Sequence, residues 1–284
     1  MRTEGDRESD NVEDQRGMFT GGRGIAAGGI GTVIIALIVM LLGGNPMSLF
    51  QGGGGGGAPS QQTAPPPSRQ TEDKLTKFVR VVLADTEDVW QVELPRQTGH
   101  NYRDPKLVLF TGRVQTACGG GSTASGPFYC PGDEKVYIDL AFYDELARRF
   151  KAPGDFAEAY VIAHEVGHHI QRLTGTEART RGDSVPLELQ ADCYAGVWGH
   201  AAAQPGRAAR GLVELDPGDI DAGLRAAAAI GDDRLQRMAT GRVMPERFTH
   251  GTSAQRVEWF KRGLDSGQPG ACDTFMTSSV PLVN

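Results

Sequence analysis

The chain has 284 residues, of which 39% are hydrophobic and 23% are charged, and its formal net charge is −6. This length accommodates one sizeable catalytic domain together with additional segments. Because nucleic-acid phosphates attract basic surfaces, the negative net charge gives no reason to expect a nucleic-acid partner.

The first two segments of the chain differ in polarity. Residues 1–23 are rich in acidic and arginine side chains and contain few large apolar ones, so we expect this segment to be disordered. Residues 24–44 contain no charged residue and, between residues 30 and 42, consist largely of Ile, Leu and Val. At about 1.5 Å per residue this stretch is long enough to cross a bilayer as a transmembrane helix.

A cleaved signal peptide is the alternative interpretation of the apolar stretch. The polar segment before it is long and acidic rather than short and basic, and no A-x-A cleavage site follows, which favours an uncleaved anchor. Arg16 and Arg23 lie shortly before the stretch, whereas the first basic residue after it is Arg69. The positive-inside rule therefore predicts a single-pass protein of the cell membrane with a cytoplasmic N-terminus and an extracytoplasmic catalytic region.

Residues 45–70 are the predicted linker to a catalytic domain over residues 71–284. The linker contains six consecutive glycines and then a proline-rich stretch, a composition that cannot bury a core. Within the domain, apolar periodicity predicts a helix over 71–92, strands over 107–110 and 135–140, and helices over 142–150, 155–175, 185–198, 216–235 and 253–264. Helices outnumber strands, so we expect an α+β fold with a small sheet.

The central motif is H-E-x-x-H, formed by His164, Glu165 and His168 within the helix predicted from Asp155 to Gly175. Residues four apart lie on the same face of a helix, so the two imidazoles can bind a single ion. Glu165 lies at the edge of that face, where it can take a proton from a water on the ion. This division of roles is typical of zinc hydrolases. A core helix that carries histidines by chance is the alternative.

Glu188 is the predicted third metal ligand. A hydrolytic zinc site needs three protein ligands and an open fourth position, and a carboxylate on a facing helix completes the set. Glu188 and Asp192 are four apart on a largely apolar helix, where acidic residues usually have a partner. We expect Glu188 to bind zinc and Asp192 to accept the outer N–H of a liganding histidine. A solvent-exposed acidic face is the alternative.

Several separated stretches of the sequence resemble the bacterial neutral zinc metallopeptidase family, whose members are membrane-anchored. They are G-D-F-A-E-A-Y-V-I-A-H-E-V-G-H-H (154–169), L-E-L-Q-A-D-C-Y-A-G-V-W (187–198), I-G-D-D-R-L-Q (230–236) and F-T-H-G-T-S-A-Q-R-V-E-W-F (248–260). The likeness covers about residues 71–275, and H-E-x-x-H followed by E-x-x-x-D is similar to the gluzincin pattern. The resemblance implies a zincin-like peptidase domain that binds one zinc ion.

His250 is a further candidate catalytic residue. Peptide hydrolysis builds negative charge on the carbonyl oxygen, which a cationic or N–H donor can stabilise. Related gluzincins place a downstream histidine in that role, and the resemblance assigns it to His250. The alternative is a structural histidine that caps a helix or supports a ligand. We expect His169 to serve packing or the surface, and we assign no role to His100 or His200.

The four cysteines allow three pairings, and an even number outside the cytoplasm suggests disulfides. Cys118 and Cys130 enclose a short glycine-rich loop, so we expect them to pair and to leave Cys193 with Cys272. A cysteine metal site is not favoured, because no C-x-x-C spacing is present. Within the metal helix, Gly167 costs about 1 kcal/mol relative to Ala, and we expect a neighbouring backbone to approach it closely.

The function expected from these features is that of a membrane-anchored zinc endopeptidase that acts on polypeptides of the cell envelope. The strand over residues 136–140 is the predicted edge at which an extended substrate adds. One alternative is a catalytically silent, zinc-stabilised envelope scaffold, against which the presence of Glu165 argues. Another is a zinc hydrolase of a non-peptide amide such as cell-wall material, which has the same metal chemistry.

Overall fold

The computed structural model describes residues 1–3, 5–16, 69–176, 184–216 and 218–275. Within these residues the α-helices are α1 (Arg69–Thr98), α2 (Ala141–Arg148), α3 (Asp155–Leu173), α4 (Ser184–Ala202), α5 (Asp219–Ala229), α6 (Asp232–Thr240) and α7 (Ser253–Ser266). None of these helices combines the length and apolarity needed to cross a membrane. The transmembrane helix predicted at residues 24–44 and nearly all of the predicted linker lie outside the described residues.

A four-stranded sheet packs beside the helices in the order β1-β2-β6-β5. Its strands are β1 (Val12–Asp14), β2 (Lys106–Phe110), β5 (Phe128–Cys130) and β6 (Lys135–Asp139). The β1–β2 and β2–β6 pairs are parallel, whereas β5 runs antiparallel to β6. A separate antiparallel hairpin consists of β3 (Arg113–Thr116) and β4 (Gly119–Ser122). The α+β class expected from the sequence is confirmed.

The substrate edge expected at residues 136–140 is wrong, because β6 has a hydrogen-bonded neighbour on each side. Its two neighbours are β2, which pairs Leu107 with Val136, and β5, which pairs Tyr129 with Val136. The edge of the sheet on this side is therefore β5. A strand of three residues is too short for its alternation to stand out in the sequence.

The single helix expected over residues 216–235 is two helices. The break lies at Gly231, whose backbone is extended with φ −70° and ψ 143°. A Cβ at this position would lie 2.3 Å from the backbone nitrogen of Ser253, so only glycine allows the start of α7 to pass this closely. The chain turns here and α6 begins at Asp232.

The N-terminal segment is part of the folded domain. β1 pairs with β2, with Val12 opposite Leu107, and Val12 is buried in the core. The hydroxyl of Ser9, itself fully buried, donates a hydrogen bond of 2.6 Å to Glu87 on α1, and Arg7 lies 3.0 Å from the same carboxylate. The disorder predicted for residues 1–23 is thus wrong for the described residues up to position 16. Their polar groups bind α1 and β2 instead of water.

The packing of β1 also bears on membrane topology. Strands that are hydrogen-bonded in one sheet cannot lie on opposite faces of a bilayer whose hydrocarbon core is about 30 Å thick. Residues 5–16 and the domain that begins at Arg69 would therefore lie on the same side of any membrane that the chain spans. These contacts are incompatible with the predicted orientation, in which one span at residues 24–44 separates a cytoplasmic N-terminus from an extracytoplasmic domain.

Glycines allow the helices that carry the candidate site to approach closely. A Cβ on Gly167 of α3 would lie 2.8 Å from the carbonyl oxygen of Ala191 on α4, which confirms the close backbone approach expected there. At the α4–α7 crossing, a Cβ on Gly196 would lie 2.0 Å from the carbonyl oxygen of Phe260. Any larger residue would therefore move α3 or α7 away from α4.

Two disulfides join Cys118 to Cys130 and Cys193 to Cys272, as expected. The first ties the β3–β4 hairpin to β5, and the second ties α4 to the short 3-10 helix that follows α7. Cys193 is the neighbour of Asp192, so the second bridge fixes the helix that carries the acidic residues of the candidate site. No free cysteine occurs among the described residues.

Candidate metal centre

The predicted metal ligands come together at one point between α3 and α4. His164, His168 and Glu188 each offer a ligand atom, and these atoms lie within 4.8 Å of one another. Nε2 of His164 is 3.2 Å from one carboxylate oxygen of Glu188, and Nε2 of His168 is 3.6 Å from the other. Two imidazoles and one carboxylate form a donor set that suits zinc and leaves a fourth position for water.

The outer nitrogen of His164 is held by a buried carboxylate. Its Nδ1 is 2.9 Å from Oδ1 of Asp192, which is completely buried. Because an ionised carboxylate only accepts hydrogen bonds, Nδ1 carries a proton at this contact, and Nε2 faces Glu188. The structure therefore places Asp192 in the position expected of a residue that orients a liganding histidine.

Asp192 is itself fixed by two residues whose role in the site was not predicted from the sequence. Arg256 of α7 donates from Nε and Nη2 to the two oxygens of Asp192, at 2.8 and 2.9 Å, and it is 2% exposed. The hydroxyl of Tyr160, one turn before His164 on α3, donates to the same carboxylate. Burial opposes ionisation of Asp192, but the charge of Arg256 outweighs it and lowers the pKa of this carboxyl. Asp192 therefore remains ionised although it is not accessible to solvent.

The second histidine is oriented from within its own helix. Nδ1 of His168 is 2.9 Å from Oε1 of Gln171, and the amide nitrogen of Gln171 donates a 2.6 Å hydrogen bond to the carbonyl of Leu187. The amide oxygen accepts, so Nδ1 of His168 carries the proton and Nε2 faces the site. The signal for this role was available in the sequence, since residues three apart lie on one helix face.

Ionisation of the three candidate ligands is coupled. Burial disfavours the charged forms, yet Asp192 and Glu188 outweigh it and raise the pKa of His164 to about 10. Burial likewise opposes a charge on Glu188, but the positive charges of His250 and His168 hold the pKa of Glu188 well below its usual value. In the metal-free protein these shifts favour protonated imidazoles beside an ionised Glu188, and metal binding would release protons.

Glu165 lies beside the two histidines and is 7% exposed. Burial raises the pKa of its carboxyl, while the nearby His164 and His168 lower it. A carboxylate whose pKa is brought closer to neutrality is a better general base than an exposed one, because it can both accept and return a proton near pH 7. The environment of Glu165 thus suits the proton transfer expected of it.

His250 lies in the loop between α6 and α7, and its charge acts on the candidate ligand Glu188. Its positive charge is one of the influences that keep Glu188 ionised. Burial opposes protonation of His250, but Glu188 and Asp232 outweigh it and raise the pKa of the imidazole. The protonated imidazole of His250 can donate a hydrogen bond, and its positive charge acts on the candidate metal ligand Glu188. The role of Asp232 was not predicted from the sequence.

The remaining assigned histidine of α3, His169, serves packing as expected. It is 1% exposed, its Nε2 is 2.7 Å from the carbonyl of Arg103, and its Nδ1 is 3.0 Å from the hydroxyl of Tyr129. Nε2 must donate to the carbonyl, so Nδ1 accepts from the tyrosine. The bond to Tyr129 links α3 to the edge strand β5, and the bond to Arg103 links α3 to the loop before β2.

Comparison with known proteins agrees with this geometry. A family model described as "Putative neutral zinc metallopeptidase" matches residues 1–275. Escherichia coli K12 has a relative, "Uncharacterized protein YpfJ", that is 47% identical over an alignment of 292 positions, and the alignment covers 97% of this chain and 99% of the relative. "Uncharacterized protein Rv2575" of Mycobacterium tuberculosis H37Rv is 45% identical over 203 residues, or 68% of each chain. No solved structure matches the chain.

Proposed function

Because the chain belongs to the neutral zinc metallopeptidase family, we propose that it is a zinc-dependent endopeptidase that hydrolyses peptide bonds. The observation that carries the proposal is the convergence of His164, His168 and Glu188, whose ligand atoms lie within 4.8 Å of one another, with Glu165 beside them. A site that only stabilised the fold would not require Glu165. Its presence in a buried position favours catalysis over a silent zinc scaffold.

Each residue of the site has a distinct role in the proposed reaction. His164, His168 and Glu188 would hold one zinc ion, which when bound polarises the substrate carbonyl and acidifies the attacking water. Glu165 accepts the proton of that water and delivers it to the leaving amine. His250 stabilises the negative charge that develops on the carbonyl oxygen. Asp192 and Gln171 keep the two imidazoles in the orientation that binding needs.

The substrate is proposed to be an extended polypeptide that adds to the edge of β5. Within the described sheet, β5 is hydrogen-bonded on one side to β6 and is the last strand on the other. A strand of this kind offers backbone donors and acceptors to a peptide. Tyr129 of β5 is hydrogen-bonded to His169, the residue after the ligand His168, so the edge is tied to the metal helix.

We propose that the domain acts outside the cytoplasm, on proteins of the cell envelope. Two disulfides support this compartment, since disulfides persist in oxidising surroundings and are rare in the cytosol. The contacts of residues 5–16 then carry the N-terminal segment to the same side. Attachment to the membrane through residues 24–44 remains a prediction of the sequence.

The test is cleavage of unfolded casein by the purified full-length protein in detergent, measured with and without a zinc chelator. We expect activity to depend on zinc and to be lost in Glu165→Gln, while the zinc content of that variant stays near one ion per chain. Glu158→Gln is the matched control, because Glu158 lies on the same helix away from the metal ligands and should keep its activity. Equal cleavage in all samples would refute the proposal.

Two other outcomes would point to the alternatives. Stoichiometric zinc without cleavage of any peptide, together with stable capture of an envelope protein, would favour a silent scaffold. Cleavage of a non-peptide amide that depends on Glu165, without cleavage of peptides, would favour a hydrolase of another substrate class.

A further inference from the structure

The stretch I-G-D-D-R-L-Q at residues 230–236 lies outside the donor set and yet builds the loop that carries His250. Asp232, which begins α6, is 1% exposed. One of its carboxylate oxygens, Oδ2, accepts backbone N–H bonds from Thr249, His250 and Gly251, at 2.7, 2.6 and 3.1 Å. The backbone N–H of Asp232 in turn donates to the carbonyl of Gly251 at 2.9 Å. A single residue thus fixes three consecutive positions of the loop.

The second oxygen of Asp232 contacts the imidazole itself. Oδ1 lies 3.3 Å from Nδ1 of His250, and the hydroxyl of Thr249 lies 2.8 Å from the same nitrogen. A hydroxyl can donate or accept, but a carboxylate can only accept, so the arrangement is satisfied when Nδ1 carries a proton. The ring then presents Nε2 to the side away from Asp232.

The neighbouring acid of the same stretch has a separate task. Oδ1 of Asp233 accepts from the backbone nitrogen and the hydroxyl of Ser253, at 2.7 and 2.8 Å, and so holds the first residue of α7. No hydrogen bond joins Asp233 to His250 among the described residues. The two adjacent aspartates therefore have different contacts. Asp232 binds the loop that contains His250, and Asp233 binds the first residue of α7.

We propose that Asp232 is a positioning residue that fixes the loop, the ring orientation and the protonated Nδ1 of His250. This inference rests on the proposed function only in giving His250 a role at the carbonyl oxygen. Among the described residues, no hydrogen bond joins the Asp232 carboxylate to the candidate metal ligands. Its effect on the reaction passes through His250.

The kinetic test compares Asp232→Asn, His250→Ala and the double variant in the full-length protein, with unfolded casein as substrate. Asn keeps an oxygen for the three backbone bonds, but it loses the charge and has a side-chain amide that cannot accept from Nδ1. We expect kcat of Asp232→Asn to fall by about 10²-fold with little change in KM, because the loss of one oxyanion donor has that size. Zinc content should be unchanged.

The double variant separates positioning from a general structural effect. If Asp232 acts through His250, adding Asp232→Asn to His250→Ala causes no further loss of kcat. Asp233→Asn is the matched control and should keep a kcat close to that of the wild type, since Asn retains an oxygen for both bonds from Ser253. Losses that multiply in the double variant would overturn the inference, as would equal losses in both aspartate variants.

A second readout does not depend on catalysis. The ¹⁵N chemical shift of Nδ1 in His250 reports whether this nitrogen carries a proton, and it can be measured in metal-free and zinc-loaded protein. We expect a protonated Nδ1 in the wild type and a change of shift in Asp232→Asn but not in Asp233→Asn. An unprotonated Nδ1 in the wild type overturns the inference even if the Asn variant does not fold. Absence of peptidase activity with the expected shifts would reject the proposed function and leave the positioning role standing.

Discussion

Replacing Arg256 by methionine tests whether the carboxylate behind His164 is a charged, paired group. Arg256→Met removes both bonds to Asp192, at 2.8 and 2.9 Å, and the 3.2 Å bond to the hydroxyl of Tyr160. Asp192 is completely buried and Arg256 is 2% exposed, so water cannot replace the guanidinium without local opening. Removal of one partner of a buried ion pair typically costs about 3–5 kcal/mol.

The assay is chemical unfolding of the metal-free, full-length protein, followed by tryptophan fluorescence. We expect the free energy of unfolding of Arg256→Met to fall by about 3–5 kcal/mol, and we expect the addition of Asp192→Asn to recover part of this loss, because the uncompensated charge is then gone. Lys261→Met on the same helix is the control. Its ion pair with Asp265 lies on the exposed face, where such pairs contribute little. A loss below about 1 kcal/mol in Arg256→Met would refute a charged, desolvated Asp192.

Three further predictions concern other parts of the molecule. Asp192→Asn should keep its zinc and lose about 10–100-fold in affinity or activity, whereas Glu188→Gln should lose zinc on dialysis; the reverse order would exchange the two assignments. Burial raises the pKa of Glu158 to about 7, so the native protein holds a proton that the unfolded chain releases at lower pH. The free energy of unfolding therefore falls as the pH rises from about 4.5 to 7, because the folded protein must then bury an ionised Glu158. Glu158→Gln removes this penalty, so it should raise the free energy of unfolding at pH 8 by up to about 3 kcal/mol and have no effect at pH 4. Single cysteines at the exposed positions Asp10 and Arg149 should react equally with a membrane-impermeant maleimide in intact cells, and labelling of only one would contradict the packing of β1.

The parts of the site that the sequence predicts are those fixed by the geometry of one helix. His164 and His168 are four residues apart on α3, and Glu188 and Asp192 are four apart on α4, so each pair shares a face wherever the helices lie. The close approach at Gly167 was predictable in the same way, because a glycine inside a helix lowers its stability unless close packing compensates. Only the mutual approach of the two helices had to be assumed.

The partners that the sequence did not predict come from elements far along the chain. Arg256 reaches Asp192 across 64 residues, and Asp232 reaches His250 across 18 residues and a helix boundary. Their spacing carries no period that could be recognised. The available signal is chemical: Arg256 lies on the same helix as Trp259 and Phe260, on a face that is buried, and a buried charge requires a counter-charge. Such a rule indicates that a partner exists without identifying it.

The N-terminal segment shows why composition alone predicted disorder incorrectly. A composition argument asks whether a segment can bury a core of its own, and residues 1–16 cannot. β1 needs no core of its own, because it adds three residues to an edge that β2 already provides and contributes one buried side chain, Val12. The rest of its binding is polar, since Glu87 of α1 accepts hydrogen bonds from Ser9, Asn11 and Arg7.

Helix α1 and strand β2 in turn depend on the N-terminal segment. Glu87 is 2% exposed, and without residues 5–16 its carboxylate would lose three donors while the edge of β2 became free to pair with other chains. A fragment that begins at α1 would therefore expose an unsatisfied acid and an open strand edge. The N-terminal residues belong to the folded domain although about 50 residues separate them from it along the chain.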